Sequence, residues 1–164
     1  MSRRQAKVVT DSMLRKMLSH SRKSSTPVRD QVIILLSCKA GLRACEIAGL
    51  EWSMILDPRG KIGNSMVVED RIAKRQSGRR IPLHRDLRTA LSQLRKLGPE
   101  DGPVIRSSRG GSMKPNSIVK EPFQAERMAQ EFGGETYDIL DRGKGSGWEK
   151  WRRKETPNKF ARYG

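Results

Sequence analysis

The aliphatic residues of this chain are confined to one part of it. Residues 1–120 contain 29 Ile, Leu and Val, whereas residues 121–164 contain two, Ile139 and Leu140. Ordering a residue costs about 1–2 kcal/mol of backbone entropy, and burial of apolar surface is the main term that offsets it. Only the first segment has the means to do so. The second is expected to be a poorly ordered tail, and its stretch at 143–147, Gly-Lys-Gly-Ser-Gly, has the composition of a flexible linker. The change falls near Lys120 to Pro122, dividing the chain into a folded segment, 7–120, and a low-aliphatic tail, 121–164. No internal repeat is visible.

Charge divides at the same place. The chain has 34 Lys and Arg against 18 Asp and Glu, a net of +16. Residues 1–120 hold 25 basic and 10 acidic residues, a net of +15, and residues 121–164 hold nine and eight, a net of +1. An excess of this size on one domain points to a polyanionic partner, nucleic acid above all. A membrane-spanning helix is excluded by the longest apolar run, Val32-Ile33-Ile34-Leu35-Leu36, because a span needs about 20 such residues. The basic stretch Met1-Ser2-Arg3-Arg4-Gln5-Ala6-Lys7 is not followed by the apolar segment of a secretory signal. Two cysteines, Cys38 and Cys45, make no disulfide framework and have no histidine spaced for a metal, so they read as reduced thiols of a cytoplasmic protein with no metal site.

Periodicity orders the first segment. Thr10-Asp11 caps a helix running to about His20, with Met13, Leu14, Met17 and Leu18 on one face. After a Ser24-Ser25 turn, Thr26-Pro27 opens a second helix whose buried stripe is Val28, Val32, Leu35 and Leu36, closed by a left-handed Gly41. A third helix covers about 44–50, and 57–60, Asp-Pro-Arg-Gly, is a turn. Stretches 65–69, 71–74 and 79–83 are strand-like, with a hairpin loop at Gln76-Ser77-Gly78. A fourth helix spans about 86–97, with His84 just before it. Residues 103–105 suit a short edge strand, and Asn116 or Ser117 suits the cap of a last helix that Pro122 interrupts. The fold class expected is mainly α with a small antiparallel β-sheet (α+β).

The third helix carries the most specific signal. Gly41-Leu42-Arg43-Ala44-Cys45-Glu46-Ile47-Ala48-Gly49-Leu50-Glu51-Trp52 resembles the first conserved box of the tyrosine recombinase (phage integrase) family, G-L-R-x-x-E-[I/L]-x-x-L-x-W, with all seven fixed positions met. The resemblance implies that Arg43 grips the scissile phosphate of DNA and that Glu46 supports the fold around it. A planar guanidinium suits that role, since it can hold two non-bridging phosphate oxygens as charge develops on them. The plainer alternative is a solvent-facing Arg at a helix start.

A second box agrees. Lys74 stands eight residues before Pro82-Leu83, the spacing at which the family carries a hairpin lysine. By resemblance Lys74 is the general acid that protonates the departing 5′ oxygen. Arg75, Arg79 and Arg80 would bind DNA around it and lower its pKa by their charge. The alternative is that Lys74 is one more phosphate-neutralising cation on a basic hairpin. The resemblance runs from about Lys7 to about Lys120, a partial tyrosine-recombinase catalytic-domain fold. It implies metal-free, cofactor-free transesterification through a phosphotyrosine, with double-stranded DNA and other recombinase subunits as partners.

The family's remaining machinery is not matched. Its H-x-x-R box occurs nowhere in the chain, whose two histidines are His20 and His84. His20 suits a favourable helix-end charge. Tyr163, in Arg162-Tyr163, and Tyr137 are the two residues of the nucleophile's type, and 124–127, Gln-Ala-Glu-Arg, is a poor second Arg box. Trp148 and Trp151 suit exposed positions in a tail. The sequence therefore predicts a DNA-binding protein of the site-specific recombination and integration class that is truncated and catalytically incomplete. The alternatives are a non-catalytic module that occupies sites or regulates a complete recombinase, and an unrelated RNA-binding protein, disfavoured by the scarcity of stacking aromatics.

Overall fold

The computed structural model describes residues 9–120. Helix α1 (Asp11–Ser21) starts at Thr10, whose hydroxyl accepts the Met13 N–H at 3.2 Å, and turns Leu14 and Met17 inward. Helix α2 (Pro27–Cys38) opens on a proline, which needs no N–H partner in a first helical turn. Thr26 precedes it but makes no side-chain cap; its hydroxyl instead donates to Asp30 Oδ1 at 3.2 Å.

Residues 32–37 of α2 are all buried. The single stripe expected from periodicity is corrected to burial around the whole circumference, while Val28 is only half-buried. A helix apolar on every side belongs in the middle of a domain. Accordingly α1, α3 (Ala44–Gly49) and α4 (Arg85–Lys96) all pack on α2, and α5 (Pro115–Lys120) packs on α3. One core joins them, with Met17, Ile33, Ile34, Ile47, Leu91 and Ile105 fully buried. Helix α4 keeps a narrower stripe: Leu87, Ala90 and Leu91 are buried, and its other face is exposed and basic.

Between α3 and α4 the chain forms a 3-10 turn at Trp52–Met54 and a two-stranded antiparallel hairpin, β1 (Ser65–Val68) and β2 (Arg79–Pro82). Residues 71–74, expected to be strand-like, are not a strand. The N–H groups of Ile72 and Ala73 both bond to the Glu69 carbonyl, at 3.2 and 3.1 Å, which curls the chain into a turn. A short 3-10 turn at Lys74–Gln76 follows. Residues 103–105 likewise form no strand. The Leu50 carbonyl accepts the Val104 N–H (2.9 Å), the Gly102 carbonyl accepts that of Trp52 (3.0 Å), and Glu51 and Pro103 make one isolated bridge. Pro103 has no N–H with which to extend that pairing. Helix α5 begins at Pro115, ahead of the expected cap. The tail expected over 121–164 lies outside the described residues.

Candidate nucleic-acid interface

The Arg43 position is set by the end of α2 and the start of α3. Gly41, at φ +66°, takes the left-handed conformation that lets the chain leave α2, and the Leu42 N–H reaches back to the Leu36 carbonyl at 3.1 Å. Arg43 is the extended residue before α3 and is half-buried. One turn on, Glu46 folds back so that its Oε2 accepts the Arg43 N–H at 2.9 Å. A carboxylate at this point satisfies an N–H that the helix leaves unpaired.

Glu46 is only 1% exposed. Its carboxylate also receives both ends of the Arg79 guanidinium, Nη1 to Oε1 at 2.8 Å and Nη2 to Oε2 at 3.0 Å. Burial pushes the Glu46 carboxyl up. The Arg79 hydrogen bonds, the Arg43 amide and the charges of both arginines outweigh burial and hold it below its ordinary range. The same pairing raises the pKa of Arg79.

The pleat of the hairpin explains why Arg79 faces Glu46. Val68 pairs with Arg79, Val67 with Arg80 and Met66 with Ile81. Met66 and Val68 are buried, so Ile81 and Arg79 share their inward face. Arg80 shares the outward face with Val67, where it donates to Ser65 Oγ at 3.1 Å. Two adjacent arginines with the same reading in the sequence therefore point to opposite sides of a two-stranded sheet.

Lys74 lies on the excursion between the strands, residues 69–78. Its backbone opens the 3-10 turn, and exposed Arg75 and Gln76 follow with φ of +63° and +52°. Left-handed backbone costs about 1–2 kcal/mol for a residue other than Gly. The base of the excursion is clasped by Asp70, whose Oδ1 accepts the Gly78 N–H at 2.6 Å. A Cβ on Gly78 would stand 2.6 Å from that same oxygen, so the clasp requires glycine there. Arg71 braces the outside, reaching Glu69 Oε2 at 2.6 Å and Glu51 Oε2 at 3.2 Å.

The excursion also docks on α3. Ala73 is buried, and Ile72 packs against the core directly over Gly49, where an added Cβ would be 2.6 Å from Ile72 Cγ2. At the other side of α3, Ser112 Oγ donates to the Ala48 carbonyl at 2.5 Å. The Arg43 box and the Lys74 box are thus one assembly, joined by Glu46–Arg79 at one end of α3 and by Gly49–Ile72 at the other. Neither joint was anticipated from the sequence. The first had a usable signal, since inward Ile81 implies inward Arg79; the second had none beyond a glycine in a helix.

The remaining expected positions have ordinary structural roles. His84 caps α4, its Nδ1 accepting the Asp86 N–H at 3.2 Å. His20 is in the last turn of α1. Cys38 is half-buried and Cys45 exposed, and neither is in a disulfide among the described residues. Among the described residues no cluster of His, Cys, Asp and Glu could hold a metal ion, and no helix is long and apolar enough to cross a membrane. Tyr137, Tyr163, Trp148, Trp151 and residues 124–127 lie outside the described residues.

Comparison with known proteins bears out the family resemblance. No curated protein matches the chain. The family model described as the phage integrase family matches residues 7–131, starting where the resemblance was expected to start and running past the boundary placed near 120. With its Arg43 box and Lys74 hairpin folded into one assembly, the chain belongs to the phage integrase family, the tyrosine recombinases that act in site-specific DNA recombination and integration.

Proposed function

We propose that this chain binds double-stranded DNA by seating one backbone phosphate between Arg43 and Lys74, and that its own residues do not complete strand cleavage. The observation that supports the first part is the joining of the two boxes: α3, which presents Arg43, and the excursion, which carries Lys74, are fixed to each other through two contacts. Exposed Arg75 and Arg80 extend the positive surface beyond that point. The left-handed backbone at Arg75 and Gln76 is a local cost of the kind that clusters at ligand-contacting sites.

In a complete reaction of this class a tyrosine hydroxyl attacks phosphorus and the P–O5′ bond breaks. The Arg43 guanidinium would hold two non-bridging oxygens as their charge grows, and the Lys74 ammonium would give its proton to O5′. What this sequence lacks is the second phosphate-binding box: there is no H-x-x-R, and neither His84 at the start of α4 nor His20 in α1 belongs to one. We therefore read the chain as a partial recombinase catalytic domain that occupies DNA, able to compete with a complete recombinase for its sites.

The test uses the full chain with a nicked suicide duplex and, in parallel, an equilibrium titration on intact duplex. Salt-dependent binding without a covalent adduct is expected, with Arg43→Ala and Lys74→Ala each lowering affinity. A covalent adduct that disappears in Tyr163→Phe would overturn the incomplete-enzyme reading. Unchanged affinity of Arg43→Ala across a salt titration would overturn the phosphate assignment.

A further inference from the structure

We propose that Arg79 is a positioning residue and not a phosphate contact: through Glu46 it fixes the backbone of Arg43, so that the hairpin holds the phosphate-binding arginine in place. The proposal rests on the reading of Arg43 as the phosphate ligand and concerns how that ligand is held.

Three observations carry it. Arg79 lies on the inward face of β2, opposite to Arg80, and both of its terminal nitrogens are turned to one carboxylate. That carboxylate is 1% exposed and bonds to nothing beyond Arg79 and the Arg43 N–H in the described structure. The link spans 33 positions of sequence, from the N-terminal turn of α3 to the first residue of β2, so it joins elements that nothing local connects. A two-point guanidinium–carboxylate bond fixes orientation as well as distance. A buried carboxylate deprived of its partner would turn toward water, and the Arg43 amide would lose its acceptor with it. A lysine at position 79 keeps the charge but cannot form the fork.

That difference makes the test. The full-length protein and its Arg79→Lys, Arg79→Met, Glu46→Gln and Glu46→Gln/Arg79→Met variants are titrated onto a fluorescent duplex at several salt concentrations. Amide hydrogen exchange is followed at Arg43 and, as a check on folding, at Ile34 in the core of α2. Positioning predicts that Arg79→Lys and Arg79→Met weaken binding alike, about 5–10-fold, with the slope of log affinity on log salt unchanged. The double variant should be no weaker than the worse single one. Arg43 amide exchange should accelerate at least about tenfold in Arg79→Met while Ile34 stays protected.

Arg79→Lys binding like the parent, or a slope reduced by about 0.9 in Arg79→Met, would make Arg79 a phosphate contact and overturn the proposal. Unchanged Arg43 exchange would overturn it independently of any DNA measurement. Parent-like binding by Arg43→Ala, in contrast, would refute the phosphate assignment of Arg43, while the exchange experiment would still report whether Arg79 holds its backbone.

Discussion

Replacing Gly49 with alanine sets two large effects against each other, and the structure decides between them. Gly49 is the last residue of α3 and its backbone is not left-handed, so alanine is allowed there. On helix propensity and unfolded-chain entropy alone, Gly49→Ala should stabilise by about 0.5–1 kcal/mol. The new Cβ, however, would lie 2.6 Å from Ile72 Cγ2 and 3.1 Å from Ile72 Cβ. Ordinary carbon contacts are about 3.5–4.0 Å, so Ile72 must retreat by roughly 1 Å. Rotating χ1 moves Cγ2 but leaves Cβ where it is. The backbone of the excursion must therefore shift, against the bonds of Ile72 and Ala73 to the Glu69 carbonyl and the burial of Ala73. Overpacking of this kind costs about 1–3 kcal/mol. The net expectation is a loss of about 1–2 kcal/mol, a fall in Tm of about 2–8 °C. Urea unfolding of the parent, Gly49→Ala, Ile72→Ala and the double variant measures it. The double variant should lose less than the sum of the two single losses, because Ile72→Ala removes Cγ2, the atom at 2.6 Å, and leaves only the milder 3.1 Å approach of Cβ. A Gly49→Ala protein as stable as the parent, or a cycle that is simply additive, would refute the claim that this contact docks the Lys74 excursion on α3.

Three further outcomes follow from the same geometry. The lowered pKa of Glu46, whose ordinary value is 4.5, means that its pairing stabilises the fold fully above that value and loses its contribution as pH falls through the depressed one. Glu46→Gln should accordingly cost about 1–3 kcal/mol near pH 7, and the gap to the parent should narrow in acid unfolding curves as pH falls below the ordinary carboxylate range; a gap independent of pH would count against the ion pair. Asp70→Ala should open the clasp, speeding exchange of the Gly78 amide at a cost of about 1 kcal/mol, since the bond is exposed. Arg80→Ala, on the outward face, should leave stability within about 0.5 kcal/mol of the parent and lower the salt slope of DNA binding by about 0.9; an unchanged slope would remove Arg80 from the DNA surface.

Helix positions were legible because they rest on local signals. Thr10 with Asp11, Thr26 with Pro27, Gly41, and the Leu87, Ala90, Leu91 spacing each act within a turn or two, and the structure uses each at or beside its expected place. What was misjudged depends on partners distant in sequence. Residues 71–74 follow a strand and contain Ile72, yet among the described residues no third strand lies alongside, and Ile72 packs against Gly49 instead. Val28 shares the spacing of Val32 but lies in the first turn of α2, ahead of the buried run 32–37. The two boxes were visible as motifs, but a motif names residue types at a spacing and says nothing about which carboxylate holds which arginine. Arg79 and Arg80 show the limit: identical in type and adjacent, they are separated by a pleat that only the inward packing of Met66 and Val68 orients.

That dependence on distant partners reaches Arg43, the proposed phosphate ligand. Helix α3 has six residues, far below the roughly 12–15 at which a helix persists alone in water. It is held from outside: by Glu46 with Arg79 at its start, by Ser112 on the Ala48 carbonyl near its end, by Ile72 over Gly49, and by α2 and α5 along its sides. Two of these partners are on or between the hairpin strands and a third follows α4, so α3 exists as a helix only once that part of the domain has assembled. Arg43 is itself the extended residue that precedes α3. The direction of its guanidinium is therefore a property of the assembled domain and not of the G-L-R segment. A peptide containing only residues 41–52 should bind DNA no better than a scrambled peptide of the same charge, and sequence matching over the box alone cannot distinguish a working phosphate clamp from one whose hairpin has been lost.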